Sequence, residues 1–464
     1  MNKRLMIAAV LLMWTSALQA AIHASGRPTS TNNDDSCDIA LLPAATLLVP
    51  YFEVDLDRPN GAGENTLITV TNVSNVEQIA LVTLWTDWAF PVVSFNIYLT
   101  GYDVQSIGLY DILALGLIAP PHGTGFEGRG SSEGDFSRKN PLIANDTCYF
   151  LPVSVPPFYR ARLRDAFTKG TVAALGSNPA CGAVGGRHER AIGYATIDVV
   201  RRCGIASPID ESYYRDELLF DNVLVGDYQQ INGAANYSEG GPLVHIRAIP
   251  EGGTAAARIA DPQTYQSNFP RTFYSRYQSA AAPALDGRQP LPSQFASHWI
   301  AGGAGGFSTD FKIWREGAKL NEAACGTHAV NEHIGVAEVI RFDEEENATI
   351  LSDPICCILP YDTLLPAAAR VSVNDSDVFP PVEDDAVAGW VFVNLDDPTR
   401  PHATQAWMIA SMRARALQGA PSGFSVDADV VALGNGCTPP LAGQSEVNDF
   451  NNGFTIGPAA NPNP

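Results

Sequence analysis

The sequence predicts a mainly β protein built from two β-sandwich (immunoglobulin-like) domains with a few short helices. Short runs rich in β-branched and aromatic residues recur along the 464-residue chain, each bounded by turn residues. Glycine occurs 40 times and proline 33 times, which suits many tight connections. Helical spacing of apolar residues is scarce, whereas period-two alternation is common. Hydrophobic residues make up 45% of the chain, enough to fill cores and to exclude global disorder.

The elements follow in order. Lys3 and Arg4 precede an apolar run at 5–14, and Ala17-Leu18-Gln19-Ala20 offers a small-residue cut, so residues 1–20 read as a cleaved secretory signal. That run is too short for a bilayer span, which takes about twenty residues. Residues 21–36 read as a flexible linker and 438–464 as a flexible tail. In an N-terminal β-rich domain at 37–250, strands are expected at 65–72, 78–88, 93–99, 191–200, 221–231 and 243–249. The run at 93–99 alternates cleanly, with Val93, Phe95, Ile97 and Leu99 on one face. The run at 78–88 is apolar on both faces, as in a buried central strand, so Trp85 and Trp88 read as core residues rather than a sugar-stacking platform. A Gly-rich insertion covers 121–135, and a helix is expected at 158–168, after Pro156-Pro157.

A linker at 251–270 leads to a C-terminal sandwich at 271–437, with seven strands expected at 272–277, 307–315, 337–343, 369–373, 389–395, 405–412 and 424–433. A helix is expected at 293–300, after Pro292. One internal echo, 54–59 against 393–398, reads as recurring strand–Asp–Pro turn chemistry rather than a repeat.

Eight cysteines, at 37, 148, 181, 203, 325, 356, 357 and 437, read as up to four disulfides in an exported chain. A formal net charge of −21 argues against a nucleic-acid partner, because neutralising phosphates takes a basic face. No apolar stretch after the signal reaches membrane-spanning length, and irregular strand spacing with eight cysteines opposes an outer-membrane barrel.

The candidate metal site is the turn carrying Asp55, Asp57, Asn60 and Glu64, since calcium takes six to eight oxygen ligands. The competing reading is an acidic turn, because Pro59 interrupts the set and the spacing departs from an EF-hand. The acidic run 343–346 reads as a solvated loop. Gly123 to Gly128 matches a dinucleotide glycine pattern without the strand and helix that pattern needs. Gly130 to Gly134 matches a nucleophile elbow only formally, with His122 or His188 as candidate bases. His328 and His333 lie five apart, off the spacing that stacks two zinc ligands on a helix.

The stretches 47–55, 65–67, 84–88, 98–105, 193–200, 226–228 and 290–293 resemble a family of exported bacterial proteins with no assigned activity. The resemblance covers most of 37–437 and implies export from a bacterium, with no chemistry attached. The resulting expectation is a secreted or periplasmic, non-enzymatic protein that binds a ligand or plays a structural role at or outside the cell surface. The alternative is a secreted hydrolase whose site assembles from distant loops.

Overall fold

The computed structural model describes residues 38–436 with interruptions, the longer ones being 118–154, 174–179, 202–212 apart from Pro208, 249–285 apart from Phe273, 318–322, 330–333, 351–363, 382–385, 398–403 and 415–423. The signal segment, the Gly-rich insertion, the elbow match, His122 and both chain ends lie outside the described residues.

Four antiparallel sheets pair into two sandwiches. The first uses β1 (Thr46–Val54), β2 (Glu64–Asn72), β3 (Gln78–Thr86), β4 (Pro91–Leu99), β5 (Val104–Gly108), β6 (Ala191–Val200), β7 (Leu224–Asn232), β8 (Tyr237–Pro242) and β9 (Val244–Ile246). Its five-stranded sheet runs β9-β1-β6-β3-β4 and its four-stranded sheet β8-β7-β2-β5. The second uses β10 (Gln294–Ile300), β11 (Ser308–Arg315), β12 (Glu338–Asp343), β13 (Ala348–Ile350), β14 (Ala368–Ser372), β15 (Ala388–Asn394), β16 (Ala406–Ala414), β17 (Phe424–Ala428) and β18 (Val431–Ala432). Its sheets run β18-β10-β15-β12-β13 and β17-β16-β11-β14.

The two strand orders are the same: adding nine to every label of the first sandwich yields the second. The chain thus contains one nine-strand unit twice. In each copy the first two strands lie in opposite sheets, whereas an immunoglobulin domain keeps its first two strands side by side. Alternation tells which residues face inward but not which strand lies next to which, so this order was beyond reach of the pattern.

Equivalent positions carry a shared device. On β6, Gly193 pairs with Phe52 of β1 on one side and Thr86 of β3 on the other; on β15, Gly389 pairs with Trp299 of β10 and Asp343 of β12. A Cβ on Gly193 would stand 2.1 Å from the Trp85 carbonyl oxygen, and one on Gly389 would stand 1.9 Å from that of Phe342. The next residue in each copy is aromatic and stacks on its cross-strand neighbour: Tyr194 on Trp85 (5.7 Å, 1°) and Trp390 on Phe342 (4.1 Å, 4°). Such pairs add about 0.5–1.5 kcal/mol beyond the area they bury. The echo between 54–59 and 393–398 follows the first strand in one copy and the sixth in the other, so it reflects turns, not the duplication.

Each sandwich closes on its own core. Leu47, Val49, Ile68, Val82, Phe95, Ile97, Leu99 and Ile197 meet between the first pair of sheets, and Phe295, Phe311, Ile313, Val391, Val393 and Met408 between the second. β3 lies between β6 and β4 and is buried along its whole length, as its two apolar faces require. The expected helix at 158–168 is α1 (Pro157–Lys169). The expected helix at 293–300 is instead strand β10. Phe295, Ser297 and Trp299 are buried while His298 is exposed, a period of two that outweighs Pro292 as a helix-start signal.

Candidate functional site

The acidic turn joins β1 to β2, closed by the Asp55 amide donating to the Glu64 carbonyl at 2.8 Å. Asp55 Oδ1 accepts the amides of Asp57 (3.0 Å) and Arg58 (3.2 Å), an Asx turn of the kind that Asp favours. Its other oxygen pairs with Arg58 at 3.4 Å. Asp57 pairs with Arg164 of α1, which ties the turn to the helix. Asn60 is exposed. Glu64 is buried beside Glu53, with Asn232 Nδ2 donating to it at 3.3 Å and Arg190 3.8 Å away. Among the described residues, no three His, Cys, Asp or Glu side chains come together as metal ligands would. In the second acidic run, Asp343 accepts the amides of Glu345 and Asn347, and Glu344, Glu345 and Glu346 are exposed.

Between the sandwiches lies a buried junction with an apolar part and a polar part. Leu48, Tyr51, Trp85, Tyr194, Val244 and Ile246 form the outer face of the first sandwich's five-stranded sheet. They pack against Trp314, Ala367 and Ala368 of the second sandwich. Tyr194 meets Trp314 edge-on at 5.9 Å, and the Ala368 amide donates to the Asp87 carbonyl at 3.0 Å.

The polar part sits on the outer face of the β17-β16-β11-β14 sheet. Lys312 Nζ lies 2.8 Å from Glu239 Oε1 of β8, and 3.1 and 3.0 Å from the two oxygens of Asp427. Ser411 and Ser425 donate to Glu239 Oε2 at 2.5 and 2.6 Å. Arg370 reaches Glu239 at 3.3 Å and Asp310 at 3.0 Å. Tyr228 donates to Asp427 at 2.6 Å. Burial alone would raise the Glu239 carboxyl, but Lys312 and Arg370 overcome it and hold the group at about 2. Glu64, at the margin of this cluster, goes the other way. Burial, then the neighbouring Glu53 carboxylate, push it up to about 7. A second buried set, Arg288 with Asp286 and Asp198 at 3.0 Å each, ties the segment before β10 to the first sandwich; Asp198 also accepts from Thr46 and Tyr213.

The third feature is an open cleft of about 490 Å³ lined by Thr168, Lys169, Thr171, Arg187, His188 and Glu189. Asp87, at the end of β3, is 3% exposed; its carboxylate accepts the Gly186 amide at 3.0 Å and lies 3.0 Å from His188 Nε2. A Cβ at Gly186 would come within 2.5 Å of His188 Nε2, so glycine permits this contact. A buried carboxylate fixing a histidine at a cleft wall is how imidazoles are oriented for ligands or proton transfer. Lys169 at the end of α1 pairs with Asp165 at 2.7 Å and faces the same opening.

Sequence reasoning named His188 as a candidate base but had no partner for it, because Asp87 lies 101 residues away. It passed over Lys312, whose alternation with Phe311 and Ile313 reads as one polar side chain on a solvated face. Comparison with known protein families, with curated proteins and with solved structures finds no match to this chain.

Proposed function

We propose that this chain is an exported, non-enzymatic protein with a binding or structural role at or outside the bacterial cell surface, its two sandwiches acting as one rigid body. The observation that carries the reading is the junction. Glu239 of the first sandwich and Lys312, Arg370 and Asp427 of the second are buried against one another, so the strongest chemistry in the described residues is spent holding the sandwiches together. Isolated ion pairs of this kind add little net stability over apolar packing, but they penalise any other arrangement of the two bodies. The signal-like segment and the even cysteine count support an oxidising compartment. The ligand contact in this reading is the cleft of Lys169, Arg187 and His188, an opening with cationic side chains in an acidic protein.

A second reading, a secreted hydrolase, draws on the Asp87–His188 pair. The purified, oxidised mature protein is assayed against ester, peptide and glycan panels beside His188→Ala. No turnover above the blank is expected for either protein. Turnover by the parent that His188→Ala abolishes would replace the binding reading with the hydrolase.

A further inference from the structure

The Lys312 ammonium and the Asp427 carboxylate are held face to face with a second carboxylate alongside, and all three side chains are withdrawn from solvent: 0% exposed for Lys312 and Glu239, 4% for Asp427. Nζ lies 3.1 and 3.0 Å from the two carboxylate oxygens, so the two groups that would react are already held in contact. We propose that Lys312 and Asp427 become joined by an intramolecular amide bond, with Glu239 positioning the lysine.

The atoms balance without a co-reactant. Lys312 passes one proton to the Asp427 carboxylate it already touches, which leaves a free amine beside a carboxylic acid, and the amine attacks Asp427 Cγ. The resulting hydroxyl takes a second proton from the nitrogen and leaves as water when the C–O bond breaks. Ammonium and carboxylate thus become an amide and one water.

The surroundings suit each step. Ser411 and Ser425 fix Glu239 Oε2, while Oε1 faces Lys312 at 2.8 Å and Arg370 at 3.3 Å. Tyr228 donates to Asp427 Oδ2 at 2.6 Å, where negative charge develops in the tetrahedral intermediate. The Tyr228 ring lies 5.3 Å from Nζ and helps exclude water. Exchanging two buried charges for a neutral amide removes a desolvation cost that an ion pair carries indefinitely.

The topology gives the bond a consequence. Lys312 is on β11 and Asp427 on β17, with β16 between them, so the link would staple three strands of the second sandwich. Glu239 comes from β8 of the first sandwich. The staple therefore closes only once the sandwiches have docked, whatever the protein binds.

Intact mass of the denatured, reduced and alkylated mature protein reads the bond directly. The parent is expected about 18 Da below its sequence mass, one water, with a single branched peptide containing Lys312 and Asp427. Lys312→Arg keeps the cation, cannot form the link and is expected at full mass. Glu239→Gln is likewise expected at full mass. Asp427→Asn is expected to close with loss of ammonia, about 17 Da. A parent at full mass overturns the proposal, and so does a mass loss that maps to other residues. Water loss that persists in Glu239→Gln overturns the positioning role. If Glu239→Gln fails to fold, the parent and Asp427→Asn still decide whether the bond exists.

Discussion

Replacing Glu64 with Gln tests the electrostatics of the junction margin. The carboxyl is buried beside Glu53 and sits at about 7, against an ordinary value of 4.5. An acid whose folded value is raised binds more protons folded than unfolded between those two pH values. Its contribution is therefore most favourable at and below pH 4.5 and is lost as pH rises through about 7. The shift corresponds to about 3 kcal/mol at most by pH 8, at 1.36 kcal/mol per unit. Gln keeps the size and can still accept from Asn232, but it cannot ionise against Glu53. The expected result is a variant close to the parent at pH 5 and more stable than the parent by up to about 3 kcal/mol at pH 8. Urea unfolding midpoints from pH 5 to 8.5, with the slope m checked for constancy, read the difference. Parallel pH curves for parent and variant would refute the argument, since they would mean that Glu64 is ionised throughout, with Arg190 its effective partner.

Two further predictions follow from packing and from the acidic turn. Gly193→Ala and Gly389→Ala each push a methyl into the carbonyl of a neighbouring strand. Each is expected to cost about 1–3 kcal/mol or more in urea unfolding, and the two costs are expected to be similar; a neutral result at either would mean that the strands part freely there. Asp55 and Asp57 are already paired with Arg58 and Arg164, so excess chelator is expected to leave the melting midpoint of the mature protein unchanged. A drop on chelation, reversed by calcium, would return Asp55, Asp57, Asn60 and Glu64 to the role of ligands, because a cation at 100 times its dissociation constant stabilises by about 2.7 kcal/mol.

Much of the fold was legible because burial imposes a period. Val93, Phe95, Ile97 and Leu99 had to share one face, and they do. β8 was missed because its Tyr-Ser-Glu-Gly-Gly-Pro sequence has neither alternation nor β-branched residues; backbone pairing with β7 holds it. β10 was misread because Pro292 weighed more than the alternation behind it. The duplication was hidden for a different reason. Equal strand order needs equal geometry but not equal residues, and what survives in the letters is little more than Gly193-Tyr194 against Gly389-Trp390. The functional features were less legible still, since each joins residues far apart in the chain: Asp87 with His188, Lys312 with Glu239 and Asp427.

Two copies of one unit could have met face to like face about a two-fold axis. Here the apolar part of the junction sets the five-stranded sheet of the first against the four-stranded sheet of the second, while the polar part brings β8 to its own counterpart β17. The counterpart in the second copy of the docking face around Trp85 and Tyr194 is not left open. Ile340, Phe342 and Phe392 are buried there, with Trp390 and Leu433 packed over them. The same pair of stacked rings is thus part of a docking face in one copy and of a small cluster within its own sandwich in the other.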